Sequence, residues 1–290
     1  MHTAPQAPPA RRRLIPVLAL ATLAALALAP DLALAKTTRV EATAKPATPP
    51  RPPAPTATEA EAARSYQACL AAVRTNATTA LSQAEAWVRA GGGAPADHCA
   101  GLALVELGRL PQAAARLEAA ASHAKRPDLG ADLLDQAGNV WLMEGSFNKA
   151  YEAFTRSLAL RPNQPQVMVD RARALGAQDD WEGAAAELGK VLKLAPGNVE
   201  AHSLRAGARR RLGDLGGARA DVEAALGAMP GDPDALLERG AIRHLAGDDP
   251  GAQTDWIDVL KKAPESPAAE AARANLESLG LKPQADAPAP

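Results

Sequence analysis

The chain has no excess of charge of either sign. Its 32 lysines and arginines face 33 aspartates and glutamates, for a formal net charge of −1. Without residues 1–35, which hold three arginines and Asp31, the balance is 29 against 32. Nothing in this balance describes a nucleic-acid surface. The chain also lacks the motifs that carry common chemistry: there is no GxSxG, no HExxH and no Walker A loop. Its five histidines (His2, His98, His123, His202, His244) are scattered. There are only two cysteines, Cys69 and Cys99. His98 adjoins the second, but no zinc-ligand spacing exists. No catalytic residue, metal ligand or cofactor is therefore expected, and no small-molecule substrate. Gly91-Gly92-Gly93 precedes a helical stretch and reads as a turn between helices; the alternative is an anion cradle.

Long apolar stretches are scarce too, and the one present sits at the start. Arg11-Arg12-Arg13 precedes an apolar run from Leu14 to Ala29, and Ala33-Leu34-Ala35 supplies small residues at a cleavage position. Residues 1–35 thus read as a signal peptide cleaved after Ala35, which implies a periplasmic or secreted protein. The run is about 16 residues, against the roughly 20 a spanning helix needs. An uncleaved inner-membrane anchor is the alternative, and the membrane would then be touched only through this segment. The arginines admit a twin-arginine signal as well as the general secretory route. Residues 36–58 hold six prolines and almost no large apolar side chain. They are expected to be a disordered linker, with a proline-rich ligand as the alternative. Pro267 to Leu279 reads as an amphipathic helix capping what precedes it, over 267–280, and 281–290 as a disordered tail.

Against this background one regularity dominates. Pro162, Pro196, Pro230 and Pro264 recur every 34 residues, which marks stacked copies of a small unit. Twelve residues before each proline stands an alanine: Ala150, Ala184, Ala218 and Ala252. Eight before stands Phe154, Leu188, Val222 or Trp256, and seventeen before stands Gly145, Asp179, Gly213 or Gly247. In 131–164, Leu133, Leu134, Ala137 and Trp141 follow helical spacing. Gly145 then breaks the helix, Ser146 is placed to cap the next one, and Phe147, Ala150, Phe154 and Leu158 continue at helical spacing. Arg161-Pro162-Asn163 ends the unit. Each unit is two antiparallel helices. Small residues at Gly138, Ala172, Ala206 and Gly240 let them approach closely.

This order of residues resembles the tetratricopeptide repeat family. Four copies fit in register, at 131–164, 165–198, 199–232 and 233–266. A fifth, near 94–127, has a closing turn (Lys125 to Gly130) three residues longer, and a sixth, near 61–94, is degenerate, so 59–130 reads as irregular repeats. The resemblance implies an all-α fold, a right-handed superhelical solenoid of helix pairs. It also implies a concave groove that holds a protein or peptide partner. Carried over residue by residue, the groove positions are Asp132, Asp135 and Asn139; Gln166, Val169 and Arg173; Glu200, Ser203 and Arg210; and Asp234, Leu237 and His244. The family's carboxylate clamp is not expected, because Asp135 stands where a basic residue would be needed. A partner segment of basic character fits this groove better.

The register has two further consequences. Arg171, Arg205 and Arg239 fall sixteen residues before Glu187, Asp221 and Asp255, while the unit lacking the arginine has Ala137 and Ala153. These read as ion pairs between paired helices, or else as a basic ladder facing a ligand. Arg209-Arg210-Arg211 reads as a solvated basic face late in a helix; the alternative is contact with an acidic partner. Cys69 and Cys99 fall on neighbouring first helices, so a disulfide is expected in an exported protein; otherwise they are two small core residues. The function that follows is a non-catalytic interaction scaffold of the cell envelope. The alternatives are a membrane-anchored accessory of an envelope assembly or secretion machine and, more remotely, an enzyme or small-ligand binder on a solenoid frame.

Overall fold

A computed structural model describes residues 57–280. The expected signal peptide, nearly all of the linker and the tail lie outside the described residues; Ala57 and Thr58, assigned above to the linker, begin the first helix. Among the described residues there are thirteen α-helices and no strand. The N-terminal part holds α1 (Ala57–Thr75), α2 (Ala77–Arg89), α3 (Gly93–Glu106) and α4 (Leu110–Ser122). Then come α5 (Pro127–Glu144) with α6 (Phe147–Leu160), α7 (Pro165–Gly176) with α8 (Trp181–Leu194), α9 (Val199–Arg211) with α10 (Leu215–Ala228), and α11 (Pro233–Leu245) with α12 (Asp249–Lys262). The last is α13 (Pro267–Ser278). Each helix packs chiefly on its neighbours in sequence, and α7, α9, α11 and α13 also touch one after another. The fold is a helical solenoid.

The turns show what the period means locally. Gly145, Asp179, Gly213 and Gly247 have φ of 87°, 60°, 82° and 83°. This position must enter the left-handed region, which an aspartate tolerates better than most residues. Ser146 is the N-cap of α6 but makes no capping hydrogen bond with its side chain. The later units cap differently: Asp180, Asp214 and Asp248 accept from the backbone N–H of Gly183, Gly217 and Gly251. Those glycines leave room for the capping carboxylate, which a Cβ would meet. The residues after Lys125 are not a longer turn. Arg126 is the N-cap of α5, whose helix begins at Pro127. Proline is tolerated there because its missing N–H is one the first turn leaves unpaired, and Asp128 complements the helix dipole.

Paired helices are matched by volume. A Cβ on Gly138 would lie 2.5 Å from the Phe154 ring, and one on Gly240 would run into the Trp256 indole. Where the partner is smaller, as at Leu188 and Val222, alanine stands in place of glycine, at Ala172 and Ala206. The core follows the stack in three clusters, one from Cys69 to Ala174, one from Met168 to Ala201 and one from Ala206 to Leu276. Each unit stabilises mainly its neighbours.

Candidate functional site: the face of the first helices

The first helix of each unit sends polar side chains toward the first helix of the next. Asp132 at the start of α5 pairs with Arg161. On α7, Arg173 reaches Asp170 one turn back at 2.8 Å and crosses to Glu200 on α9. Gln166 also donates to Glu200, at 3.4 Å. Ser203 on α9 donates to Asp232, the N-cap of α11, at 3.0 Å. Arg210 spans from α9 to Glu238 on α11 at 2.7 Å. The result is a polar seam that is continuous from α7 to α11, with Asp132 and Asp135 of α5 beside it. It carries Asp132, Asp135, Asp170, Glu200, Asp232, Asp234 and Glu238 against Arg161, Arg173 and Arg210, and is therefore acidic.

Within the seam, Asp135 and Asp234 have no arginine or lysine paired to them. Asp135 takes only the side-chain amide of Asn139, at 3.3 Å. Burial, then the charges of Asp170 and Asp132, push its carboxyl up to about 6, against Arg161 and the Asn139 hydrogen bond. Burial also raises Asp234, helped by Asp232, Glu200 and Glu238 and opposed by Arg173. Asp170 is raised as well, chiefly by burial, with the charge and hydrogen bond of Arg173 opposing. Crowded carboxylates that resist ionisation favour an incoming cation.

Two of the family-derived positions, Val169 and His244, do not belong to this seam, Leu237 only half does, and Ser203 belongs to it only as a buried link. Val169 is fully buried and packs with Leu188 and Val191, so burial of its methyls overrides the family register. Ser203 is 2% exposed and spends its hydroxyl on the Val199 carbonyl and Asp232. His244 pairs with Asp249 at the start of α12, at 2.6 Å, because that unit has an aspartate where others have an aromatic or leucine. Leu237 is half-buried against the C-terminal core. Conversely, Asp170, Asp232 and Glu238 were missed. Asp170 and Glu238 occupy the same place in their units, and that recurrence was the available signal.

The three arginine–acid pairs lie between the paired helices, with side-chain exposures of 5%, 3% and 1% for Glu187, Asp221 and Asp255. They are not a ladder toward a ligand. Arg209 and Arg243 add second arginines to Asp221 and Asp255 at 2.7 and 2.8 Å, and His202 contacts Asp221 at 3.0 Å. The arginine run is not a solvated face either. Arg209 binds within its own unit, Arg210 binds the next, and Arg211 lies over the Trp181 ring of the previous one, 4.7 Å from its centroid.

At the N-terminal end Cys69 on α1 and Cys99 on α3 are joined, their Cα atoms 6.3 Å apart. Beside them Tyr66, His98 and Gln136 form a chain across α1, α3 and α5. His98 Nε2 donates to Gln136 Oε1 at 2.8 Å and its Nδ1 meets the Tyr66 hydroxyl. Burial lowers the His98 pKa, so the ring stays neutral, as this pattern requires. Gly91-Gly92-Gly93 makes the turn into α3, with Gly92 tight against Trp87.

Two models of the tetratricopeptide repeat family match the chain, over residues 142–207 and 208–270. Residues 142–270 are tetratricopeptide repeats. The solved structures agree on the fold. MamA from Desulfovibrio magneticus RS-1 superposes with a TM-score of 0.51 at 20% identity, covering 60% of this chain and 97% of that one. PilF from Pseudomonas aeruginosa gives 0.55 at 16%, covering 74% and 98%. A repeat-containing protein from Cytophaga hutchinsonii gives 0.55 at 19%, covering 72% and 87%. No curated protein matches the sequence.

Proposed function

We propose that this tetratricopeptide repeat protein is a non-catalytic scaffold of the cell envelope, and that its first-helix face binds a basic segment of a protein partner. The observation that carries the reading is the pair of carboxylates, half-buried Asp135 and exposed Asp234, left without a cationic partner in a seam where Asp132, Asp170, Glu200 and Glu238 each have one. A preformed surface of this kind binds through many modest contacts. Lysine-rich peptides should bind the purified protein, and affinity should fall steeply with salt. Salt-independent binding, or equal affinity for acidic peptides, removes the reading.

A raised carboxyl also sets the sign of a stability effect. Asp135 prefers its proton more in the folded protein than in the unfolded chain. Its favourable contribution is therefore present at low pH and is lost as pH rises toward about 6. Asp135→Asn should accordingly stabilise the fold at pH 7, by about 1 kcal/mol after allowance for solvent screening, while weakening peptide binding. Urea unfolding and peptide titration of the same variant test both signs; loss of stability at pH 7 contradicts the argument.

The envelope assignment rests on the leader and on the cysteine pair. Residue Lys36 as the mature N-terminus supports secretion, and Met1 or His2 supports the anchored alternative. A closed Cys69–Cys99 bond spans a sequence separation of 30 residues and should contribute about 3–4 kcal/mol. Cys69 and Val73 are the main buried side chains of α1, so reduction should release α1 first. Hydrogen exchange with and without reductant, on thiol-blocked protein, reads this directly; a free thiol in protein taken from the periplasm excludes the bond.

A further inference from the structure

The unit at 165–198 departs from its neighbours at one spot. At the end of its first helix stand Gly176 and Ala177, where the other units have Leu142 and Met143, Arg210 and Arg211, and His244 and Leu245. The two small residues leave a crevice of about 240 Å³ between α7 and α9, floored by α8. Its walls include Ala172, Gly176, Ala177, Trp181, Leu188 and Leu204, and Arg173 forms its rim. The walls are apolar apart from that rim. A dry apolar cavity of about 150 Å³ already holds a benzene ring, so the crevice has room for one leucine- or phenylalanine-sized side chain.

Its place in the seam indicates what that side chain belongs to. Arg173 on the rim is already engaged by Asp170 and Glu200, and Arg211 lies over the ring of Trp181. The unpaired Asp135 lies one first helix before it, on α5, and the unpaired Asp234 lies beyond it, on α11. Asp234 feels the charges of Arg173 and Glu200, and Asp135 feels that of Asp170, so both acids share the field around the crevice.

We infer that the crevice is the anchor pocket of the groove, and that the partner segment presents a basic residue, a large apolar residue and a second basic residue in that order across α5 to α11. The inference rests on the basic-partner reading above and adds the apolar anchor and its position. The cations give attraction and salt dependence, and the anchor gives discrimination, because burying one large apolar side chain separates it from alanine by about tenfold or more.

The test uses two fluorescein-labelled peptides, identical runs of lysine and glycine with either leucine or alanine at the centre. It also uses the variant Gly176→Leu/Ala177→Met, which copies Leu142 and Met143 and fills the crevice. With the native protein the leucine peptide should bind about tenfold or more tightly than the alanine peptide at fixed salt. In the filled variant the difference should vanish while the salt dependence of both peptides remains. Ala177→Met alone, a smaller change, should reduce the difference if the double variant folds poorly. Equal affinity of the two peptides for the native protein overturns the pocket and leaves the basic groove standing. A leucine preference that survives filling likewise overturns it. Failure of both peptides to bind overturns the groove reading and the pocket with it.

Discussion

Replacing Trp256 with alanine should destabilise the C-terminal units by about 3–5 kcal/mol. The indole is 2% exposed, fills the space above Gly240, and donates from Nε1 to the Leu237 carbonyl at 3.2 Å. Removing it empties the contact between α11 and α12 and leaves α13 on a collapsed neighbour. Units in such a stack couple to their neighbours, so the loss should appear in hydrogen exchange first over 233–278. Gly240→Ala should act on the same contact from the other side. Its Cβ has no room beside the indole, so it should cost about 1–3 kcal/mol, despite the roughly 1 kcal/mol alanine gains in a helix. In a Trp256→Leu background the same Gly240→Ala change should be neutral or favourable, since Ala172 already packs against Leu188 in that arrangement. A double-mutant cycle by urea unfolding measures the coupling. Additive effects would show that the match of glycine to a large ring is coincidental.

Asp221→Ala should lower stability by about 3–5 kcal/mol. The carboxylate is almost sealed, and three groups converge on it. Arg205 Nε approaches at 2.9 Å, Arg209 Nη1 at 2.7 Å and His202 Nδ1 at 3.0 Å. Deleting the acid leaves Arg205 without its carboxylate and Arg209 with only the more exposed Asp214, 3.6 Å away, a larger penalty than an exposed pair could produce. Burial alone would push the Asp221 carboxyl up, but hydrogen bonds from Arg205 and His202 and the charges of Arg205 and Arg209 outweigh it and hold it below the usual range. A depressed carboxyl contributes stability above its unfolded value of about 3.9, and that contribution is lost as pH falls through the lower folded value. Asp221→Asn should therefore be less stable than the native protein at neutral pH and approach it under acid. A stability gap unchanged between about pH 7 and pH 2 would show that packing, not charge, sets the cost.

Asp221 and Asp135 are opposite uses of one side chain. Asp221 lies between the helices of a unit with arginines on two sides, and its charge supports the fold. Asp135 lies on the first-helix face among other acids with one amide for a partner, and its charge strains the fold. Such strain at an accessible position is common where a surface is shaped for binding.

The helix pairs, their turns and the arginine–acid pairing were legible in the chain because each depends on residues at fixed separations within one unit. A helix breaker, a left-handed turn and a partner sixteen residues on repeat with the period. Legibility failed where contacts run between units. Nothing in the triplet Arg209-Arg210-Arg211 reveals that its members reach three different units, because neighbours on a helix point about 100° apart and α9 has a different neighbour in each direction. Val169 occupies a position the family uses for ligands, yet its apolar side chain is drawn into the core. The crevice beside Gly176 is likewise invisible along the chain: a pair of small residues means a cavity only if nothing from the next helix fills it.

The sequence by itself determined the unit, its length, its two helices and the match of small residue to large ring, since local sterics and short-range packing decide all of these. The tertiary structure alone decided which carboxylates of the first-helix face find an arginine and which, at Asp135 and Asp234, do not. That outcome depends on how successive first helices are offset against one another, and side chains from three or four units meet there at distances no single period encodes.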